Sequence, residues 1–499
     1  MKAPAESVKE KDQSLETVPK MTWRNYVLLI VLFKVMFSTF LCAYIESDWT
    51  LTMLKKEHVL NMTEQFFECE PGNSTMEQRK GLEDAENQNA KWRMIYTLAE
   101  TVPAMIVTLV LPAYTDVYGR KFLLLLPTVG ALIKFLTLSL TIQFEGSFWF
   151  LFASHIVSGL TGSAFGFLAA TFSMVADLTL PGNKRTQLIV MVECVVVSST
   201  GIASLTSGML KEIMEMGFFG SSLIGTGNCA ISLLMAFLIP ETHLGEKRHK
   251  PESVLKTVKR VTNFYIGFDN SRSKTKLYIT LLMAFGFATV SSANRMGMET
   301  LYFLENPFCW GPVKIGIFST IRSTIQCLIG VVAVKLLLKC LSSEMIGMMS
   351  ALSNATSYII QAFATTTVVV YLVPAAAMFS ILIIPIIRSL MSSATPADRQ
   401  GALFAGMTSI EVFCTVLASF ARRAILSASL SFMSGFVFLM LALMALINVA
   451  QMIVVKLLKP ATDNYKFGDV EMETGITAES ATRMMAIESG LPAKEQKKM

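Results

Sequence analysis

Ionisable side chains stand inside the apolar runs of this sequence, and these are the residues that could do chemistry. Glu193 sits in LIVMVECVVV, about six residues or ~9 Å inside the edge of its run at 1.5 Å per residue. A carboxylate at membrane depth is costly unless it is paired or hydrated. It is therefore a group suited to taking up and releasing protons. Glu411, in a later run, is a second candidate; Glu100 and Glu299 are weaker ones, Glu299 lying near the end of its run where water can reach it. Lys34, Lys134, His155, Arg295 and Arg322 are cations drawn inside runs. A cavity lined by several positive groups favours an anion, and a guanidinium can grip a carboxylate or phosphate with two parallel hydrogen bonds. Arg322 is the first choice for substrate contact and His155 the second. A structural reading stands beside each. Lys34, Lys134 and Arg295 could pair with Glu100, Glu299 or another acid simply to be buried. His155 could be a satisfied hydrogen-bond partner. Arg388, near the end of its run, could snorkel to the headgroups.

A different chemistry is expected of Thr115–Lys121, which reads TDVYGRK between the apolar stretches 94–112 and 122–142. Gly119 permits a tight reversal that a residue with a Cβ would resist. Asp116 and Arg120 flank it, close enough to engage helix ends or each other.

The elements that must position these residues follow from composition. The chain has 499 residues, 53% hydrophobic and only 16% charged, with a mean hydropathy of +0.52. A soluble domain is about a quarter charged. The net charge of +6 does not point to nucleic acid, because the basic residues cluster between apolar runs rather than along one folded face. Twelve runs of spanning length are expected, at 26–46, 93–113, 122–142, 148–174, 188–210, 217–240, 277–303, 314–338, 345–366, 368–390, 402–425 and 431–457. The first is longer than a signal-peptide core, so no cleavable signal is expected. Arg120 and Lys121, Lys184 and Arg185, and nine Lys and Arg residues between Lys247 and Lys276 all fall on one side. That side should be cytosolic, with both termini.

The opposite side carries one long loop, 47–92, with two N-glycosylation acceptors, Asn61 and Asn73. A third match at Asn354 lies within a run and should stay unmodified. Of eight cysteines, only Cys69 and Cys309 fall in exterior loops. An oxidising exterior permits a bridge between them, the alternative being two free thiols. The halves repeat weakly: LPGNKRTQ (180–187) and TPADRQGA (395–402) each place a Pro shortly before an Arg at the start of a run. Two six-helix halves related by an axis along the membrane normal would give this correspondence. The expected organisation is a tail (1–25), an N-terminal half (26–240), a basic linker (241–276), a C-terminal half (277–458) and a tail (459–499). Both tails have little to bury and are expected to be disordered.

The pattern Asp116-x-x-Gly119-Arg120-Lys121 between the second and third of twelve spans resembles the signature of the major facilitator superfamily. Further matches narrow this. Asp116-Val-Tyr-Gly-Arg-Lys-Phe122, Val175-Ala-Asp177, Leu301-Tyr-x-Leu-x-x-Pro-x-Cys-Trp310, Pro385-x-x-Arg388 and Gln400-Gly-Ala-Leu-Phe404 are similar to solute carrier family 46, which holds the proton-coupled folate transporter and its relatives. The resemblance implies an all-α membrane protein of twelve helices in two six-helix halves, working by alternating access. It implies proton coupling at Glu193, a relative's glutamate at Glu411, and a gate latch of Asp116, Gly119, Arg120 and Asp177, with Asp116 capping the helix near Gly401. It also implies a gating role for Arg388 and an exterior disulfide mapping to Cys69 and Cys309.

Two departures bear on substrate. FSTFLCAY (37–44) replaces the family's Gly-Pro-Leu-Thr-Thr-Gln-Tyr stretch, and Ser292 stands where the folate transporter has a histidine. The expected function is proton-coupled symport of a small organic anion of the folate, muropeptide or cyclic dinucleotide class. The partners are then that anion, protons and membrane lipid; the protein is expected to be a monomer, in the plasma or lysosomal membrane. The rival readings are an uncoupled facilitator, an exporter from an acidic organelle, and a receptor or scaffold with a transporter fold. No nucleophile–base pair, metal-ligand spacing or nucleotide loop is present, so neither an enzyme nor a cofactor is expected.

Overall fold

The computed structural model describes residues 23–58, 76–179, 182–242, 272–292, 295–304, 308–395, 400–429, 433 and 435–474. The described chain is helical throughout, without strands. The N-terminal half comprises α1 (Trp23–His58), α2 (Met76–Tyr118), α3 (Arg120–Gln143), α4 (Phe148–Leu160), α5 (Ser163–Asp177), α6 (Asn183–Glu212) and α7 (Phe218–Ala236). The C-terminal half comprises α8 (Arg272–Ser292), α9 (Arg295–Leu304), α10 (Pro312–Cys340), α11 (Ser343–Ala362), α12 (Thr367–Val370), α13 (Val373–Ala376), α14 (Ile383–Ser393), α15 (Gln400–Ser429) and α16 (Phe436–Thr474).

Ten described helices, counting α4 and α5 as one, are long and apolar enough to cross a membrane. An eleventh span is the pair Thr367–Ala376 and Ser380–Ser393, bent by 45°. The remaining expected span is α11, whose inward face is polar: Glu344, Ser350, Asn354, Ser357 and Gln361 are all buried. Three expected spans are thus interrupted. Run 148–174 breaks at Thr161 and Gly162, where Gly162 has φ +98°, a left-handed conformation that costs glycine little. Run 277–303 divides between α8 and α9, and 368–390 bends. The long exterior loop is shorter than expected, because α1 continues to His58 and α2 begins at Met76. Asn61, Cys69 and Asn73 lie outside the described residues. At the other end, α16 runs on to Thr474, past the expected boundary at 458, since a charge-rich sequence can continue a helix that a span has already nucleated.

Three apolar clusters hold the bundle. The largest lies between the halves and toward the basic end, joining α1, α5, α6, α8, α14 and α15. One aromatic cluster, around Trp310, Phe303 and Tyr358, fills the far end of the C-terminal half. Another, around Trp49, Tyr96 and Phe135, fills the far end of the N-terminal half. The halves meet along α6 and α10. A Cβ on Gly208 would stand 3.1 Å from the Pro312 carbonyl carbon, and one on Gly316 2.8 Å from the Leu205 Cα, so the two backbones approach closely there. A second seam joins α2 to α15 through Thr108 and Ser409, 3.2 Å apart. At the basic end Arg185 Nη1 donates to Ser392 Oγ at 3.0 Å, and Phe172 stacks on Phe404.

Candidate transport site

The single-residue turn between α2 and α3 is Gly119, with φ +97°. Its neighbours present backbone amides at the start of α3, where a helix end is electropositive and its N–H groups are unsatisfied. The carboxylate of Glu241 fills this position. It accepts from Arg120 N at 2.8 Å, Lys121 N at 3.0 Å and Thr242 N at 3.0 Å. A Cβ on residue 119 would come within 2.3 Å of Glu241 Oε2. Arg120 Nε donates to Asp177 Oδ2 at 3.1 Å, and Thr242 Oγ1 donates to the same oxygen at 3.3 Å. Every described member of this assembly belongs to the N-terminal half or to the two residues that directly follow it, Glu241 and Thr242. The Asp116 side chain lies outside the described ones, and so does its expected cap near Gly401. Sequence reasoning missed Glu241 by placing it at the first position of the linker; the signal was an acid directly after the last residue of a span.

Between the halves a second assembly gathers Glu193 of α6, Arg388 of α14 and Glu411 of α15. Arg388 Nη2 donates to Glu411 Oε2 at 2.6 Å. Its Nη1 lies 2.9 Å from Glu193 Oε1, an ion pair whose angle falls outside hydrogen-bond geometry. The guanidinium is 3% exposed and lies over the Phe172 ring, 4.1 Å from its centroid. This overturns snorkelling as the reading of Arg388: the bend that separates α13 from α14 turns it into the interior. One cation faces two carboxylates, so the assembly is one positive charge short of neutrality.

In the C-terminal half the balance is reversed. Arg295 Nε donates to Glu299 Oε1 at 2.8 Å, and Arg322 Nη1 donates to Glu299 Oε2. Arg295 is further held by Asn354 Oδ1, Ser357 Oγ and Gln361 Oε1, each at 3.2 Å, and by the Tyr358 ring at 4.3 Å. Glu299 is 1% exposed, not solvated as its place near the end of a run suggested, because the aromatic cluster above it closes off water. Two guanidiniums share one carboxylate. Arg322 has fewer anchors than Arg295, and Tyr44 of α1 stands within electrostatic reach of it.

The third assembly lies within the N-terminal half. Lys134 Nζ donates to both oxygens of Glu100, at 3.1 and 2.9 Å. Ser158 and Ser163 donate to Glu100 Oε1 at 2.9 and 2.8 Å. The break between α4 and α5 is what sets Ser163 there. His155 Nδ1 is 2.8 Å from Glu100 Oε2, and its Nε2 is 2.9 Å from Glu46 Oε1. Lys134 is paired with Glu100, the structural reading given beside its substrate role, and His155 is a hydrogen-bond partner of two carboxylates. Lys34 donates to Asn228 Oδ1 at 2.6 Å. Glu46 escaped the sequence reading because it falls on the boundary drawn for the first span. Cys309 is disulfide-bonded, while Cys42, Cys194, Cys229, Cys327, Cys340 and Cys414 are free thiols.

No family model matches the chain. Individual proteins do. The lysosomal proton-coupled steroid conjugate and bile acid symporter SLC46A3 of Gallus gallus is 31% identical over 369 residues, covering 72% of this chain and 78% of the relative. The proton-coupled folate transporter of Rattus norvegicus is 24% identical over 360 residues, covering 72% and 77%. Among solved structures, the human organic anion transporter MFSD10 (TETRAN) superposes with a TM-score of 0.66 at 11% identity, covering 87% of this chain and all of that one; this is a likeness of fold, that of the major facilitator transporters.

Proposed function

Because the chain belongs to solute carrier family 46, a family of membrane transporters rather than enzymes, we propose that it is a symporter that moves a small organic anion together with protons by alternating access. The observation that carries this reading is Arg388 standing between Glu193 and Glu411 at the boundary of the halves. Proton uptake by Glu193 cancels the negative charge that faces Arg388 from the N-terminal half. The guanidinium then belongs to Glu411 alone, and the tie between the halves loosens. A buried cation shared by two acids thus converts a proton into a mechanical release. Arg322 is the anion ligand: it is buried, shares Glu299 with Arg295, and leaves its assembly with an excess positive charge that an acidic substrate can match. The curated relatives are named for steroid conjugates and bile acids and for folate, so those compounds join muropeptides and cyclic dinucleotides as candidate substrates. Arg120 with Asp177, and the turn at Gly119, form the latch on the basic side. The Cys309 disulfide is made with Cys69, and Asn61 and Asn73 carry glycans on the same face. The protein resides in the lysosomal or plasma membrane.

The test is uptake of a labelled panel of these anions into proteoliposomes at acidic and at neutral exterior pH. Uptake of one compound that rises at acidic pH supports the reading. Equal uptake at both pH values replaces it with an uncoupled facilitator.

A further inference from the structure

His155 is held at both ring nitrogens by carboxylate oxygens, Nδ1 by Glu100 at 2.8 Å and Nε2 by Glu46 at 2.9 Å. An ionised carboxylate only accepts hydrogen bonds, and a neutral imidazole has one donor and one acceptor nitrogen. With Glu46 and Glu100 both ionised, both contacts are made together only when the ring carries a proton on each nitrogen. Charge balance leads to the same place. Two acids, Glu46 and Glu100, face one fixed cation, Lys134, and a proton on His155 supplies the second. The ring is 7% exposed and stacks on Tyr96, with centroids 5.1 Å apart and planes 2° apart. Stacking fixes the orientation that points the two nitrogens at the two acids.

The geometry points to a second proton-binding site, at His155, whose proton clamps α1 to α2 and α4 and is distinct from the site at Glu193. The groups that face His155 are Glu46 from α1, Tyr96 and Glu100 from α2, and Lys134 from α3, with Cys42 of α1 and Cys229 of α7 beyond the lysine. When the proton leaves, one of the two carboxylate contacts must fail, because one nitrogen becomes an acceptor. Glu100 stays anchored by Lys134, Ser158 and Ser163. Among the described residues Glu46 has no comparable anchor. The contact that breaks is therefore Glu46 to His155, and the element set free is α1 at the end away from the basic loops. This site does not depend on the role given to Glu193.

The test is nitrogen NMR of the full chain in lipid nanodiscs, labelled only at histidine rings. The chain has four histidines, and H155Q identifies the signal. The expected result is an imidazolium with both nitrogens protonated at neutral pH. Glu46→Gln should lower the pH at which that proton leaves by about one unit or more, since it removes a facing charge. Glu193→Gln should leave the His155 titration where it is. Failure of proton-coupled uptake would then sink the reading of Glu193 without touching this one. A His155 ring that is neutral at acidic pH, or a titration that Glu46→Gln does not move, overturns the proposal. Should H155Q fold poorly, the Glu46→Gln comparison still decides, because it keeps the imidazole in place.

Discussion

Arg388 Nη1 lies 2.9 Å from Glu193 Oε1, and the two residues belong to different halves of the molecule. The same guanidinium holds Glu411. A tie of this kind ranks the effects of substitution, since loss of an acid and loss of the base do opposite things to the charge left behind.

Glu193→Gln keeps the shape of the side chain and removes its charge. One coupled proton can concentrate substrate about tenfold per pH unit of gradient. In E193Q the accumulation ratio should fall to equality across the membrane, while exchange of labelled for unlabelled substrate continues. Both are read in proteoliposomes under an imposed pH gradient. Wild-type accumulation in the variant would remove Glu193 from the coupling.

Arg388→Met should be the more damaging change to the fold. It leaves Glu193 and Glu411 buried without their cation, a loss of about 3–5 kcal/mol. Adding Glu411→Gln to the same chain should restore part of it. Thermal unfolding of the purified variants measures both, and an R388M protein as stable as the parent would show that the assembly is hydrated rather than sealed.

Arg322→Lys retains a positive charge but not the planar pair of donors. Substrate KM should rise by about tenfold or more with Vmax little changed, a loss of about 1.5–3 kcal/mol for a charged hydrogen bond. If KM is unmoved while Vmax falls, Arg322 acts on the motion and not on the anion.

Gly119→Ala places a methyl group against the Glu241 carboxylate and forces φ +97° on a residue that resists it. With ψ at 154° this is a region essentially reserved for glycine, and the conformational part alone is about 1–3 kcal/mol. Melting temperature should drop in G119A, and Glu241→Gln should produce a smaller drop of the same kind because the amide oxygen still accepts from the α3 amides. A neutral outcome for both would mean that the turn is not a structural joint.

Much of this was legible in the sequence, for physical reasons that also set its limits. Hydrophobic run length gave the spans, because a helix in lipid must satisfy its backbone internally. It could not give the breaks at Thr161 and Gly162 or before Ile383, since apolar composition runs straight through them. Charges inside runs identified Glu193, Arg322, Arg388 and Glu411 one at a time. Their grouping was not readable, because Glu193 and Arg388 are brought together only by tertiary packing. The pairing of Lys134 with Glu100 stood among the readings of the sequence, but the two acids that hold His155 did not, because a sequence displays an imidazole and not the groups packed against it. Glu46 and Glu241 were overlooked because each stands where a span meets a loop, and a boundary uncertain by a few residues decides whether an acid counts as buried or solvated.

The seam between α6 and α10 has glycine where helices usually carry knobs. With Gly208 against Pro312 and Gly316 against Leu205, the facing backbones have little side-chain relief to disengage. Two such surfaces can pivot against each other without interlocked side chains having to part.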